Sequence, residues 1–147
     1  MDLSAFAELV PLDNGLCVLC LLRPDGSVAA SVVNAGVLLH PSTGVQVVGF
    51  VARGLRKLDR LRADPRATIV ARAGWRWSAV DGDADIVGPE DPHPGIDHEG
   101  LRLPLREVFE AAGGTHDDWD EYDRVMHEER SAAVLIVPRR VYSNPRG

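Results

Sequence analysis

The sequence predicts a mainly β fold of the α+β class, in which six antiparallel strands form a small β-barrel with helices at its rim. Three observations favour it. Strand-like apolar segments recur along the chain, the first of them follow one another through tight turns, and helical segments lie between and after the later strands. A Rossmann sheet is disfavoured because there are no βαβ crossovers and no G-x-G-x-x-G motif.

The first third of the chain is predicted to form one short helix and an antiparallel meander. The helix, Asp2–Leu9, is amphipathic, with Phe6 and Leu9 facing inward. Pro24 to Ser27 has the composition of a turn, because Pro fixes one φ angle and Gly accepts the next. A second turn begins at His40, which is interpreted as a turn residue. The predicted strands are Leu16–Leu22, Val28–Leu39 and Val45–Ala52.

The remainder of the chain alternates helices and strands. Leucines recur every third residue over Leu55–Ala63, and Asp64 before Pro65 ends that helix. Thr115 is a plausible N-cap for the last helix. The other predicted strands are Ala67–Ala73, Trp75–Val87 with a bulge or bend at Gly82, and Ala132–Val137, which Arg139–Tyr142 follows; the other helices are Leu103–Ala112 and Asp117–Arg130, after a Pro- and acid-rich loop, Gly88–Gly100.

The composition is that of one globular domain spanning residues 1–147, with 45% hydrophobic and 26% charged residues. Leu16–Leu22 is apolar but too short to span a bilayer. Acidic residues rather than a basic region precede it, so it does not resemble a secretory signal. We therefore expect a cytoplasmic protein that binds no membrane.

Positive charge is concentrated between Arg53 and Arg76. This segment contains eight Lys and Arg residues but only two acids, whereas the whole chain has a net charge of −6. Such an island suits a compact anion, whereas the acidic remainder would repel a nucleic acid. Arg56, Lys57 and Arg60 share one helix face, and Arg53 with Gly54 precedes it. This segment is either a phosphate cradle at a helix start or a solvated basic surface.

Two tryptophans, Trp75 and Trp77, alternate along the predicted fifth strand and should therefore present their rings on one face. Three interpretations remain open. The pair could form a wall for a flat heterocycle, a subunit interface, or part of the barrel core.

The sequence nominates no metal site and no catalytic residue. Cys17 and Cys20 lie in a strand, where positions three apart face opposite sides, so they are predicted to be buried thiols. A metal site could be drawn from His93, Asp97, His98 and Glu99 with Asp91, but the segment, an acidic loop from Glu90 to Glu99, is more typical of a flexible loop than of a metal site. His116 and His127 are predicted to lie on the surface, and no nucleophilic triad is recognisable.

Several motifs together resemble a known family. R-G-x-R-K-L-x-x-L-R-x-D-P-R-A-T-I from Arg53 to Ile69 and G-W-R-W…D-G-D-A from Gly74 to Ala84 are similar to the pyridoxamine-phosphate-oxidase-like split β-barrels. The C-terminal G-T-H-D-D-W-D-E-Y-D and L-I-V-P-R-R-V-Y-S-N-P stretches resemble the actinobacterial branch that uses the deazaflavin coenzyme F420. The resemblance covers nearly the whole chain.

The resemblance implies a homodimer with the cofactor in a groove between subunits. It assigns the cofactor phosphate to Arg53, Arg56 and Lys57, and the ring pocket to Trp75 and Trp77. Asn34 matches a polar position that lines the groove. Family members often carry Ser or Thr two residues before the motif lysine; Leu55 stands there in this chain, so either Arg56 compensates or the affinity for the cofactor is reduced.

The implied activity is hydride transfer from reduced F420 to a small conjugated organic acceptor, with the chemistry supplied by the cofactor. No residue is nominated as proton donor. Three alternatives remain open: an FMN-dependent oxidase or reductase on the same barrel, a non-catalytic F420- or flavin-binding protein, and a structural dimer without ligand.

Overall fold

The computed structural model describes residues 2–53, 55–97 and 99–144. Its six strands form a closed antiparallel barrel in the order β1-β2-β3-β6-β5-β4, which confirms the predicted fold class. The strands are β1 (Leu16–Leu22), β2 (Val28–Leu39), β3 (Gln46–Ala52), β4 (Arg66–Ala73), β5 (Arg76–Val87) and β6 (Ala132–Ser143).

Four α-helices accompany the barrel in the described residues. They are α1 (Ser4–Leu9), α2 (Leu55–Ala63), α3 (Arg102–Ala111) and α4 (Trp119–Glu128), and a 3-10 helix at Val10–Asp13 follows α1. None of these helices has both the length and the apolar character that crossing a membrane requires.

The barrel interior is filled by inward-facing strand residues, including Leu19, Ile69, Val80 and Ile136, all with 0% exposure. Alternation along each strand gives this inner face because successive side chains point to opposite sides. Phe6 and Leu9 of α1 are buried in the same cluster, as predicted.

A second apolar cluster lies between the barrel wall and the helices α3 and α4. Val47 and Leu135 of the wall contact Leu105 and Val108 of α3 and Met126 of α4 in this cluster. It holds α3 beside β2 and β3, where the candidate site lies, and α4 against α3.

Three local predictions differ from the structure. Trp75 lies in the turn before β5 rather than on the strand, because the left-handed Gly74 (φ 62°) places the turn there. Helix α4 is capped by Asp118, which accepts the backbone N–H of Glu121 (3.2 Å), not by Thr115. Strand β6 continues through Pro138 to Ser143, since Pro138 pairs with Gly82 at a register shift.

That register shift confirms the predicted irregularity at Gly82. A Cβ at this glycine would lie 2.2 Å from the carbonyl oxygen of Val137. Only glycine lets the two strands approach this closely.

Candidate functional site

A cavity of about 420 Å³ lies between β2, the end of β3, the start of α2, and α3. Three of the predicted cofactor-binding residues line it: Asn34, Arg53 and Lys57. The other lining residues are Val32, Val33, Val51, Ala52, Val108, Phe109 and Ala112. A mostly apolar wall with a few polar groups is typical of small-molecule and cofactor sites, and so is the volume.

Lys57 is the cation best placed to attract an anion into this cavity. Its side chain is half-buried, and burial lowers the pKa of its ammonium group. The Nζ atom lies 5.9 Å from the centre of the Phe50 ring, and in the described residues no carboxylate pairs with it. A half-buried ammonium without a counter-ion leaves its charge available to a ligand.

Arg53 is placed at the mouth of the cavity by the end of β3. Its guanidinium group lies 3.3 Å from the Glu129 carboxylate at the end of α4, and the arginine side chain is 64% exposed. An exposed pair of this kind stabilises the fold little, so a ligand anion can compete for the guanidinium.

Asn34 lies on β2 with its amide turned toward the backbone at the edge of the cavity. The end of the amide that faces the carbonyl oxygens of Ala112 and Gly15 is assigned as the nitrogen, because only a donor satisfies both oxygens; in that orientation it donates to them at 3.1 Å and 3.3 Å. Both amide hydrogens are therefore used, and the amide oxygen remains as an acceptor for a ligand N–H.

Helix α3 forms the opposite wall of the cavity and packs unusually close to β2. A Cβ at Gly36 would lie 2.0 Å from the carbonyl oxygen of Ala111, so the close approach requires glycine. The backbone of β2 thereby sets the position of Phe109 on α3 and of Ala112 just after its end.

Phe109 joins the cavity to a cluster of aromatic side chains that the sequence did not reveal as a site. Its ring centre lies 5.0 Å from Tyr122, 6.1 Å from Trp119 and 6.3 Å from His116. His116, which was predicted to lie on the surface, is 29% exposed and also packs on these rings. The i,i+3 spacing of Trp119 and Tyr122, which places both rings on one face of a helix, was the feature of the sequence that could have revealed the cluster.

Burial raises the pKa of Tyr122 in this cluster to about 12, and its hydroxyl donates to the carbonyl oxygen of Leu105 (3.0 Å). This hydrogen bond ties α4 to α3 behind Phe109. The cluster therefore supports the cavity wall, and the Tyr122 hydroxyl stays protonated at neutral pH.

The other predicted cofactor residues lie outside the cavity in a single chain. Arg56 is exposed on α2, and Gly54 lies outside the described residues. Trp75 is 93% exposed, while Trp77 packs edge-on against Tyr142 with ring centres 6.0 Å apart. Asn34 on β2 pairs with Leu16 of β1, and Trp77 on β5 pairs with Arg72 of β4. Strands β1 and β4 therefore lie between Asn34 and Trp77, which puts these two residues three strand spacings, roughly 14 Å, apart along the barrel wall.

A second, larger cavity of about 590 Å³ is lined by residues of β1, β4, β5 and β6, with Val28 of β2. Its polar centre is Asp81, which accepts hydrogen bonds from Thr68 (2.7 Å), Arg140 (2.6 Å) and Tyr142 (3.0 Å). The arginines that line this cavity are paired with carboxylates: Arg140 with Asp81, Arg139 with Asp83 and Arg66 with Asp64. This cavity is therefore less suited to an anionic ligand than the one at Lys57.

The cysteines and the loop histidine occupy different surroundings. Cys17 is buried, as predicted, and burial raises the pKa of its thiol to about 11, whereas Cys20 is half-buried beside the 590 Å³ cavity. His93 contacts Asp85 and lies beside His40, which is buried rather than a simple turn residue. His98 lies outside the described residues.

No protein-family model matches the sequence. Among solved structures, a conserved hypothetical protein from Mycobacterium tuberculosis is similar at 22% identity and a TM-score of 0.62, covering 93% of this chain and 82% of that one. A pyridoxamine 5'-phosphate oxidase-related, FMN-binding protein from Nostoc punctiforme matches at 15% identity, TM-score 0.62, covering 98% and 84%.

A protein described as an F420 reductase matches at 14% identity and a TM-score of 0.57, covering 86% of this chain and 88% of its own. At such identities the likeness is one of fold and does not choose between cofactors. What the barrel order and these neighbours establish together is that the chain has the fold of the pyridoxamine-phosphate-oxidase-like split β-barrels.

Proposed function

We propose that the protein is an F420-dependent oxidoreductase that transfers a hydride from the reduced deazaflavin to a small conjugated organic acceptor. The observation that carries the proposal is the meeting of Asn34, Arg53 and Lys57 around one cavity of about 420 Å³. These residues come from three separate parts of the chain, namely β2, the segment after β3, and α2. The C-terminal D-W-D-E-Y motif also resembles the F420-using branch. FMN is the alternative cofactor, because the same features would suit its phosphate.

The donor set fits a cofactor that carries a phosphate and a flat polar ring. Lys57 supplies a half-buried ammonium without a carboxylate partner in the described chain, and Arg53 supplies an exchangeable guanidinium at the mouth. Arg56, exposed one residue before Lys57, is proposed as a further phosphate ligand. Cations arranged at a helix start bind phosphate through charge-assisted hydrogen bonds.

The chain's own contribution to the reaction is binding, orientation and exclusion of water. The free amide oxygen of Asn34 can accept a ring N–H, and Phe109 with Val108 offers an apolar wall. F420, when bound, supplies the two-electron hydride chemistry itself. In the described residues no acid or base lines the cavity apart from Lys57 and Arg53, so we propose solvent as the source of the proton.

We further propose that the active form is a homodimer, in which the cavity is completed by the partner. The outer faces of β1 and β2 expose Leu16, Val18, Val28 and Val32, with exposures from 42% to 64%. Val18 pairs with Val32, and Leu16 lies on the same face of β1, so these side chains form an apolar patch that begins at the cavity edge and extends along β2 toward Val28. Such a patch on a small protein marks an interaction surface.

A dimer would also explain why Trp75 and Trp77 lie outside the cavity of their own chain. Trp77 lies at the same level of the barrel as Asn34, on the far side of the apolar patch. A second subunit packed on that patch would bring its own Trp75 and Trp77 toward the cavity. On this proposal the two tryptophans line the pocket of the cofactor that the partner subunit binds. We also propose that the protein is cytoplasmic.

The deciding experiment is a fluorescence titration of the purified protein with F420 and, separately, with FMN at physiological salt. Saturable binding of F420 with much weaker binding of FMN supports the proposal. A preference for FMN would reassign the protein to flavin chemistry on the same fold, and binding of neither would contradict a cofactor role. Steady-state turnover with a panel of electron-poor C=C and C=N acceptors then separates an enzyme from a protein that only binds F420.

A further inference from the structure

Two histidines and one aspartate from distant parts of the chain converge outside the cofactor cavity. Nε2 of His40 lies 2.7 Å from Oδ2 of Asp85, and Nε2 of His93 lies 3.1 Å from the same oxygen. All three potential ligand atoms lie within 4.8 Å of one another. The residues are 45 and 8 positions apart in the sequence, so their meeting is a product of the fold.

We propose that His40, Asp85 and His93 bind one divalent transition-metal cation, for which Zn²⁺ is the representative ion. Two imidazole nitrogens and one carboxylate oxygen form a donor set that zinc accepts with water in its fourth position. Mg²⁺ and Ca²⁺ prefer oxygen ligands throughout, and the absence of thiolate from the set disfavours Cu(I).

Two of the three ligands are held on rigid structure. Asp85 lies within β5, where it pairs with Leu135 of β6. His40 follows β2, and its backbone N–H donates to Val45 while its carbonyl oxygen accepts from Gly44, both at 2.8 Å. Ligands on fixed elements preorganise a metal site, since little movement is needed to reach the bound geometry.

The third ligand, His93, belongs to the loop of residues 88–101. This loop already contacts the rest of the molecule through Asp91, which pairs with Arg62 (2.6 Å), and Glu90, which pairs with Arg130 (2.8 Å). A metal bound by His93 would add a third attachment point between the loop and the barrel. We infer a structural role for the ion, with an open coordination position toward solvent because Asp85 is 39% exposed.

The metal-free hydrogen bonds define what must change on binding. Nδ1 of His40 accepts the backbone N–H of Ser42 (3.1 Å), so the imidazole proton is on Nε2 and points at Asp85. Coordination through Nε2 requires that proton to move to Nδ1, and the Ser42 amide must then turn away. Ser42 is in an exposed turn, so the adjustment stays local.

The test is a competition titration of the full chain, freed of metal by a chelator, with Zn²⁺ against a chromophoric chelator. We expect one Zn²⁺ per chain. His93→Gln should bind Zn²⁺ on the order of 100-fold more weakly, since loss of a direct ligand should cost at least what loss of an outer-shell partner costs. His127→Gln on α4 is the matched control and should bind as the unaltered protein does.

His40→Gln provides a second ligand variant, and because His40 is 3% exposed its folding is checked first by circular dichroism. If it does not fold, His93→Gln carries the test alone. An unaltered protein that takes up no Zn²⁺, or a His93→Gln variant that binds as tightly as the control, would overturn the proposal.

A readout specific to this geometry is the backbone amide signal of Ser42 in a ¹H–¹⁵N spectrum. Zn²⁺ should shift it in the unaltered protein but not in His93→Gln. Equal shifts in both would place the metal elsewhere and overturn the assignment. Because these residues do not line the cofactor cavity, F420 affinity should be unchanged in His93→Gln, so the two proposals fail independently.

Discussion

Lys57 is the single residue on which the proposed cofactor site depends most. Its side chain is half-buried, burial lowers the pKa of its ammonium group, and the Nζ atom lies 5.9 Å from the centre of the Phe50 ring. A cation kept in such a position, with no carboxylate paired to it among the residues that the structure describes, costs free energy that a bound anion would recover. Ligand binding is the simplest reason for its placement.

We expect Lys57→Ala to weaken F420 binding by about 10- to 100-fold, the range for loss of a charge-assisted hydrogen bond. Arg60→Ala is the matched control, because it removes the same charge from the same helix at a position that does not line the cavity. Fluorescence titration measures both. Unchanged affinity in the Arg56→Ala/Lys57→Ala double variant would mean that the phosphate is bound elsewhere.

A second prediction at the level of a single residue concerns Asp81, whose contribution to stability should depend on pH. Burial alone would raise its pKa, but hydrogen bonds from Thr68, Arg140 and Tyr142 outweigh burial and hold the pKa below the ordinary 3.8. A lowered pKa in the folded state stabilises the protein above the unfolded value and loses that contribution as pH falls.

Asp81→Asn should therefore lower the free energy of unfolding at pH 7, by about 1 kcal/mol for a partly exposed group. The difference between the variant and the unaltered protein should shrink as pH drops below 3.8. Urea unfolding at a series of pH values measures it. A difference in the free energy of unfolding that stays constant down to pH values near 2 would show that the negative charge of Asp81 does not stabilise the fold.

Among the elements, the contact of α3 with β2 decides the shape of the cavity. The helix approaches the strand so closely that Gly36 has no room for a side chain. The same helix carries Val108, Phe109 and, just after its end, Ala112 to the cavity wall. Strand and helix therefore cannot move apart without changing the site.

Gly36→Ala should destabilise the protein by about 1–3 kcal/mol, since the new methyl group meets the backbone of α3 rather than a flexible side chain. It should also weaken F420 binding, because displacement of α3 moves Phe109. Urea unfolding and fluorescence titration test the two effects. A variant with unaltered stability would show that α3 is free to shift.

At the scale of the whole molecule, the apolar patch of Leu16, Val18, Val28 and Val32 requires an explanation. The strand pairing places it beside the cavity that holds Asn34. An apolar surface at this position would be covered most simply by a second copy of the chain, which would contribute to the same groove.

We expect the unaltered protein to sediment as a dimer at micromolar concentration and Val18→Lys, at a patch residue that does not line the cavity, to sediment as a monomer, because burying a lysine charge in the patch is costly. The monomer should also bind F420 weakly. Leu103→Lys, at an exposed leucine (50%) of α3 outside the patch, is the control and should remain dimeric. A monomeric unaltered protein would contradict the shared groove.

The sequence predicted the barrel well because its signals are local. Alternation of buried and exposed residues marks β1 and β4, and Asp64 before Pro65 ends α2 at the predicted residue. Element ends were less accurate: Thr115 and Asp118 are both good capping residues, and the backbone path alone decides between them.

The candidate site was predictable only in part. Arg53 and Lys57 are neighbours along the chain, but their approach to Asn34 and Phe109 depends on barrel closure and on how α3 docks. The cluster of His40, Asp85 and His93 left no local pattern, since its members share neither an element nor a regular spacing. Long-range contacts of this kind appear only once the strands are paired.

The surroundings of the three tryptophans give the protein built-in optical probes. Trp75 is 93% exposed, Trp77 is packed against Tyr142, and Trp119 is within the aromatic cluster behind the cavity. Emission from an indole shifts to shorter wavelength when water leaves it, so Trp75 should report subunit association directly. Replacing it with phenylalanine would silence that signal, while Trp119 would remain to register events at the cavity.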